Sequence, residues 1–237
     1  MCLIALAHRA SSRFPLVIAA NRDEDYRRPT HDAHHWTDAP DVVGGKDALF
    51  GGAWLAVRRG GRFAAVTNLR GAERRVRSRG FLVSDFVTTE LDVEAYAQTI
   101  ASEAEQYAGF HLLAGDLEGE AMYIAPELQT PLAPGLHAFS NAPSGEEWPK
   151  MAAAIERLRG ALEIPTAETL MEDLMVFLAT PRGTTSPESE VFIRGDRYGT
   201  RSSTVVIATT TEILFAEQSY AAGGEVQGER RVFCLVR

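Results

Sequence analysis

The second residue of this chain is a cysteine, and it follows a methionine whose removal a small neighbour tolerates. That removal would leave a thiol and a free α-amine on one residue. With ordinary pKa values of about 8.5 and about 7.7–8.0, the amine can serve near neutral pH as the thiol's own general base. Cys2 is therefore expected to sit at the mouth of a pocket between two facing sheets and to attack a carbonyl there. Against this stands the common use of cysteine as a small hydrophobe opening an apolar strand. Cys234, inside the terminal run RRVFCLV, is expected in the core without a chemical role.

Four polar residues, Asn21, Arg22, Asp23 and Glu24, end the second apolar run. If 16–21 pairs with 2–8 as a hairpin, this cluster lies close to Cys2. Strand alternation sends Arg22 and Glu24 to one face and Asn21 and Asp23 to the other. A carboxylate beside the cysteine can hold the α-ammonium, and an arginine favours thiolate. An Arg–Asp network that merely satisfies a strand end is the structural alternative. Asn68 follows RFAAVT and Asn141 follows GLHAFS; each can donate to the oxyanion of an acyl transfer or simply serve a turn. Arg201, in GTRSSTVV, can bind a carboxylate or phosphate or pair at the surface. The stretch HDAHHW carries His31, His34 and His35, whose spacing matches no zinc pattern, so no metal site is expected.

The elements that must position these residues follow from patterning. Strands are expected at 2–8, 16–21, 53–59, 62–68, 110–116, 121–125, 135–141, 204–210, 212–220 and 231–236. Helices are expected near 81–87, after Asp92, around 148–162 and, with Thr166 as cap, over 167–179. The polar stretch from Asp23 to Asp47 shows no sustained period and is expected as a long functional loop. Blocks of hairpins alternating with blocks of helices predict an α+β fold, a four-layer αββα sandwich of two antiparallel sheets in a single domain over 1–237.

Composition narrows the function classes. Hydrophobic residues make up 45% and charged residues 24% of the chain, the balance of an ordinary globular protein. No apolar run is long enough to span a bilayer as a helix, and no basic n-region precedes the first strand, so a cytoplasmic protein with no integral membrane segment is expected. A net charge of −8 argues against nucleic acid as a partner. One locally basic stretch, 70–79, reads as a solvated loop or an anion-binding edge. Two cysteines form no disulfide framework. The oligomeric state is not legible.

Seven ordered blocks resemble the NRDE family, the homologues of transport and Golgi organisation protein 2. They are MCLI, AANRDE at 19–24, GGAWLAV at 51–57, FAAVTNLRG at 63–71, SRGFLVSDF at 78–86, SNAP with WPK at 140–150, and GTRSSTVV at 199–206. That family is similar in turn to the N-terminal-nucleophile (Ntn) hydrolases, among them cysteine amidases that open penicillin V and conjugated bile acids. The resemblance implies an Ntn-hydrolase-like fold with Cys2 as nucleophile. It places Arg22, Asp23, Asn68, Asn141 and Arg201 in catalytic positions. Arg22 and Asp23 are adjacent here, whereas those amidases space the pair, so at most one can occupy the matching face. Asn21, Glu24, Trp54 and the three histidines are carried as ligand contacts. No cofactor is required for an amidohydrolase that acts on a small-molecule amide. The family's connection with haem trafficking and acyl-CoA or lipid handling makes a haem or acyl-CoA carrier the alternative. An interaction protein with a vestigial cleft is the third possibility.

Overall fold

A computed structural model describes residues 2–71, 75–117 and 119–237. The fate of Met1 and the middle of the basic stretch 70–79 lie outside the described residues. The chain divides into two compact units, one of residues up to Arg28 together with Pro134–Arg237, the other Pro29–Ala133.

The first unit is a six-stranded antiparallel sheet. It contains β1 (Leu3–His8), β2 (Leu16–Asp25), β10 (Gly135–Ser140), β11 (Tyr198–Ala208), β12 (Glu212–Tyr220) and β13 (Val226–Val236), in the order β10-β1-β2-β11-β12-β13. Two helices, α3 (Pro149–Ala161) and α4 (Ala167–Ala179), cover one face. Thr166 caps α4 by accepting from the Thr169 amide, and Leu170, Leu174 and Leu178 then recur at helical spacing. They pack on Leu3, Ala5, Val17, Ala19, Val205 and Ile207, alternate residues of three neighbouring strands. Each buried leucine contributes about 1.5–3 kcal/mol relative to an exposed one, so this face fixes strand register.

The second unit is a seven-stranded antiparallel sheet ordered β3 to β9 along the chain. Its strands are β3 (Thr30–His35), β4 (Val42–Asp47), β5 (Ala53–Arg58), β6 (Arg62–Asn68), β7 (Phe110–Asp116), β8 (Ala121–Ala125) and β9 (Leu128–Pro131). Helices α1 (Gly80–Thr88) and α2 (Val93–Glu103) lie on one face through Leu82, Phe86, Tyr96 and Ile100. Asp92 caps α2 through a 2.8 Å bond from the Ala95 amide, and Tyr96 ties the helices by donating to the Leu82 carbonyl at 2.9 Å.

Several elements differ from expectation. The presumed loop 23–47 holds the end of β2 and all of β3 and β4. A bulge between His31 and His34 and paired glycines break the alternation there. Gly44 is needed because a Cβ would lie 2.6 Å from the Leu55 carbonyl oxygen, and buried Trp36 anchors the hairpin by donating to Gly44 O at 3.0 Å. The short strand β9 was not anticipated, and β11 and β13 begin earlier than their apolar runs. Ala104 leaves the apolar face of α2 for a short 3-10 turn. Cys234 is exposed, not in the core: β13 is an edge strand, and its thiol meets Glu212 at 2.9 Å.

Two of the seven blocks meet inside the second unit. Gly52 of GGAWLAV has φ +77°, and a Cβ there would sit 2.4 Å from the backbone of Gly80 in SRGFLVSDF. Replacing Gly52 by alanine therefore adds both strain and a backbone clash, and should cost at least about 2 kcal/mol in urea unfolding. A change within 0.5 kcal/mol, on the order expected for a neutral surface substitution, would contradict this contact.

Candidate functional site

Backbone pairing sets the neighbours of Cys2. Leu3 pairs with Asn21 on β2 and with Ser140 on β10. Carried one residue further, the same register puts Cys2 between Arg22 and Asn141. Ser140 closes this end of the sheet by donating its hydroxyl to the Cys2 carbonyl at 2.7 Å, and the Cys2 thiol lies 3.9 Å from the Asp23 carbonyl oxygen. Cys2 itself is 8% exposed. Burial pushes its thiol pKa up and the Asp23 carboxylate adds to the rise, while a backbone hydrogen bond at Asp23 and the charge of Arg22 oppose it.

Alternation sorts the polar cluster as a strand must. Asn21 faces the helices, where its amide donates to the carbonyls of Leu178 at 2.9 Å and Val191 at 2.8 Å and accepts from Ser203 at 2.6 Å. Asp23 accepts from the Thr200 hydroxyl at 2.7 Å, and Thr200 in turn accepts from the Ile193 amide at 2.9 Å. Arg22 turns the other way with Glu24, which it meets at 3.5 Å and which Arg28 also approaches at 3.6 Å. Arg22 is 7% exposed, and its Nη1 has no hydrogen-bond partner among the described residues.

Arg201 owes its position to a bulge. Thr200 pairs with Asp23 but Ser202 pairs with Arg22, so Arg201 is an extra residue in β11. Its guanidinium reaches the Tyr220 carbonyl at 3.3 Å and Gln227 at 3.4 Å.

The other candidates belong to the second unit. Asn68 ends β6 exposed, opposite Phe110, and Trp54 is half-buried on β5. His31, His34 and His35 lie on β3; His34 and His35 use their Nδ1 atoms on the carbonyl oxygens of Asp32 and Pro40, at 2.8 Å and 2.9 Å. Among the described residues no group of three His, Cys, Asp or Glu side chains is placed to hold a metal ion. Within the basic stretch, Arg77 pairs with Asp85 and Glu103. Sequence reasoning missed Thr200, which nothing but the β2–β11 register reveals, and Lys150, whose block WPK carried no hint of burial.

The model of the family described as Transport and Golgi organisation 2 matches residues 1–222. The chain belongs to that family. Among its relatives, the bovine Transport and Golgi organization protein 2 homolog is 30% identical over 244 residues, covering 89% of this chain and 88% of that protein. The human homolog is 28% identical with the same coverage. Among solved structures, a cysteine-to-alanine mutant of the conjugated bile acid hydrolase from Clostridium perfringens superposes with a TM-score of 0.55. That match covers 98% of this chain and 92% of the other at 9% identity. An N-acylethanolamine-hydrolyzing acid amidase ortholog from Caenorhabditis elegans gives 0.53 over 87% of this chain and 92% of that one, at 14% identity. This Transport and Golgi organisation 2 member thus has the Ntn-hydrolase fold that the resemblance implies, α+β with two antiparallel sheets as its order of elements predicts. Among the described residues no helix is long and apolar enough to cross a membrane.

The thiol environment makes a prediction for this family member. In protein that retains Met1, iodoacetamide labelling of Cys2 should have its pH midpoint above the ordinary thiol value. Only thiolate reacts, and a raised pKa delays it to higher pH. Rate profiles with the modified peptide identified by mass spectrometry would show this; a midpoint below the ordinary value would contradict it.

Proposed function

We propose that this chain is an N-terminal cysteine hydrolase that cleaves an amide C–N bond of a small molecule. The observation that carries the reading is the register at one end of the sheet: Leu3 pairs with Asn21 and Ser140, and the residues that follow this pairing are Cys2, the buried cation Arg22 and the amide Asn141. Removal of Met1 frees the Cys2 amine, which takes the thiol proton. The sulfur attacks the amide carbonyl, and the Asn141 side chain supports the oxyanion. The C–N bond breaks, the proton on the Cys2 ammonium passes to the leaving amine, and the acyl group remains as a thioester. Water, deprotonated by the same amine, then releases the acid and restores the thiol. Arg22 favours thiolate, and the Asp23 carboxylate holds the α-ammonium.

The fold shared with a bile acid hydrolase and an N-acylethanolamine-hydrolyzing amidase suggests the first assays: a conjugated bile acid and an N-acylethanolamine, with release of the amine measured. Intact-mass analysis of the same sample reports whether Met1 is gone. Turnover by protein lacking Met1 supports the reading; an inert Cys2 in such protein, toward substrate and iodoacetamide alike, would overturn it.

A carrier of haem or an acyl-CoA is the second reading, favoured by the buried Arg22 Nη1 without a partner among the described residues. A propionate or phosphate oxygen would supply its acceptor. Titration with hemin and with an acyl-CoA tests this, and no binding of either at micromolar concentration would remove it.

A further inference from the structure

Two side chains converge on one backbone atom beside Cys2. The β1–β2 ladder runs to Leu3 opposite Asn21. Two residues further along β2, the Asp23 carbonyl oxygen is met by side chains: the Cys2 sulfur lies 3.9 Å away, and the Tyr198 hydroxyl donates to it at 3.2 Å. A carbonyl oxygen has two lone pairs, so both contacts can stand together. They are unequal, since a thiol is a weak donor.

Tyr198 opens β11 opposite Asp25, two residues before Thr200. Strand alternation sends both side chains to one face, and both act on Asp23: Thr200 on the carboxylate at 2.7 Å, Tyr198 on the carbonyl. The backbone between them is closely held. A Cβ at Gly199 would lie 2.4 Å from the Tyr26 hydroxyl and 2.5 Å from the Ile193 carbonyl oxygen, and that carbonyl accepts from the Thr200 amide at 2.9 Å. Tyr198 itself stays 42% exposed, so its hydroxyl bond does more to fix it than burial of its ring does.

The charge on the sulfur decides what the shared oxygen does. While the thiol keeps its proton, S–H can donate to the oxygen, which favours the neutral form; once ionised, the sulfur faces the negative end of the carbonyl dipole. A hydrogen bond from Tyr198 weakens both effects, because it takes up a lone pair and draws charge off that oxygen. Thiolate is then less costly. Burial pushes the Tyr198 phenol above its usual range, so at neutral pH its proton is in place to donate.

We propose that Tyr198 is a positioning residue of the Cys2 centre, its hydroxyl holding the Asp23 carbonyl oxygen and thereby favouring thiolate at the neighbouring sulfur. No bond is made or broken at the phenol. The inference deepens the hydrolase reading and rests on it, but its test needs neither substrate nor Met1 removal.

Tyr198→Phe deletes the hydroxyl and keeps the ring. In a Cys234→Ser background, which leaves Cys2 as the one thiol of the chain, this change should slow iodoacetamide labelling near neutral pH about three-fold, the effect of a rise of about half a pKa unit. Tyr26→Phe is the control: its hydroxyl donates at the same end of β11, at 3.4 Å, but to the Thr200 carbonyl oxygen. It should keep the native profile. A merely structural Tyr198 would lower the unfolding midpoint and leave the labelling profile in place, and that result in folded Tyr198→Phe would overturn the proposal. An equal slowing in Tyr26→Phe would overturn it too. Should Tyr198→Phe fail to fold, protein labelled with ¹³Cζ-tyrosine decides: at least one of its six signals should follow the Cys2 titration and lose that step in Cys2→Ala. Six signals indifferent to Cys2→Ala would sink the idea. Absent turnover with slowed labelling in Tyr198→Phe would remove the hydrolase reading and spare this one.

Discussion

Cys2→Ala should abolish amide turnover, by at least about 10³-fold in kcat/KM, because the residue supplies the attacking atom and no neighbour can replace it. Serine at the same place should recover little, since its hydroxyl is a far weaker nucleophile at the pH where the amine is free. The fold should survive: the side chain is small, and its thiol makes a long contact to the Asp23 carbonyl oxygen at 3.9 Å. Circular dichroism and an unaltered unfolding midpoint would separate loss of chemistry from loss of structure. Asn141→Ala should lower kcat by about 10²–10³ if the amide supports the oxyanion. Turnover that persists in Cys2→Ala would assign the activity to another group or to a contaminant.

The largest effect on stability is expected at Asn21→Leu. Asn21 is fully buried, and its one amide satisfies the carbonyls of Leu178 and Val191 as well as the Ser203 hydroxyl. Leucine keeps the volume and loses all three partners. Each abandoned buried group costs about 1–3 kcal/mol, so the three together cost about 3–9 kcal/mol, a large part of an ordinary domain's stability. At about 2–4 °C per kcal/mol for a chain of this length, Tm should fall by about 6 °C or more. A fall of under about 2 °C would mean that water or rearrangement replaces the clamp. Because Val191 adjoins Glu190 and Glu188, the loss should also loosen the segment that faces Lys150.

How much of this could be read from the residues depends on what each signal reports. The hairpin of β1 and β2 and the helix caps at Asp92 and Thr166 were legible, because apolar spacing and capping chemistry are local. The strands β3 and β4 were not, since a bulge, two glycines and three histidines hide their alternation, and their stability comes from Trp36 and neighbouring strands. At the site, the split of Asn21 and Asp23 from Arg22 and Glu24 follows from strand period alone. The hydrogen-bond partners of Asn21, the link from Thr200 to Asp23 and the burial of Lys150 do not. The first two join residues more than a hundred positions apart, and all three are decided by packing that no local pattern encodes.

The extra residue at Arg201 has a consequence for how this chain can vary. Below it, Thr200 faces Asp23; above it, Ser202 faces Arg22. Deleting that single position would rephase the strand, turning Thr200 to the opposite side and leaving the carboxylate of Asp23 without its hydroxyl. The site is thus protected by a length rule as well as by residue identity: substitutions around Arg201 can be absorbed, whereas an insertion or a gap there cannot.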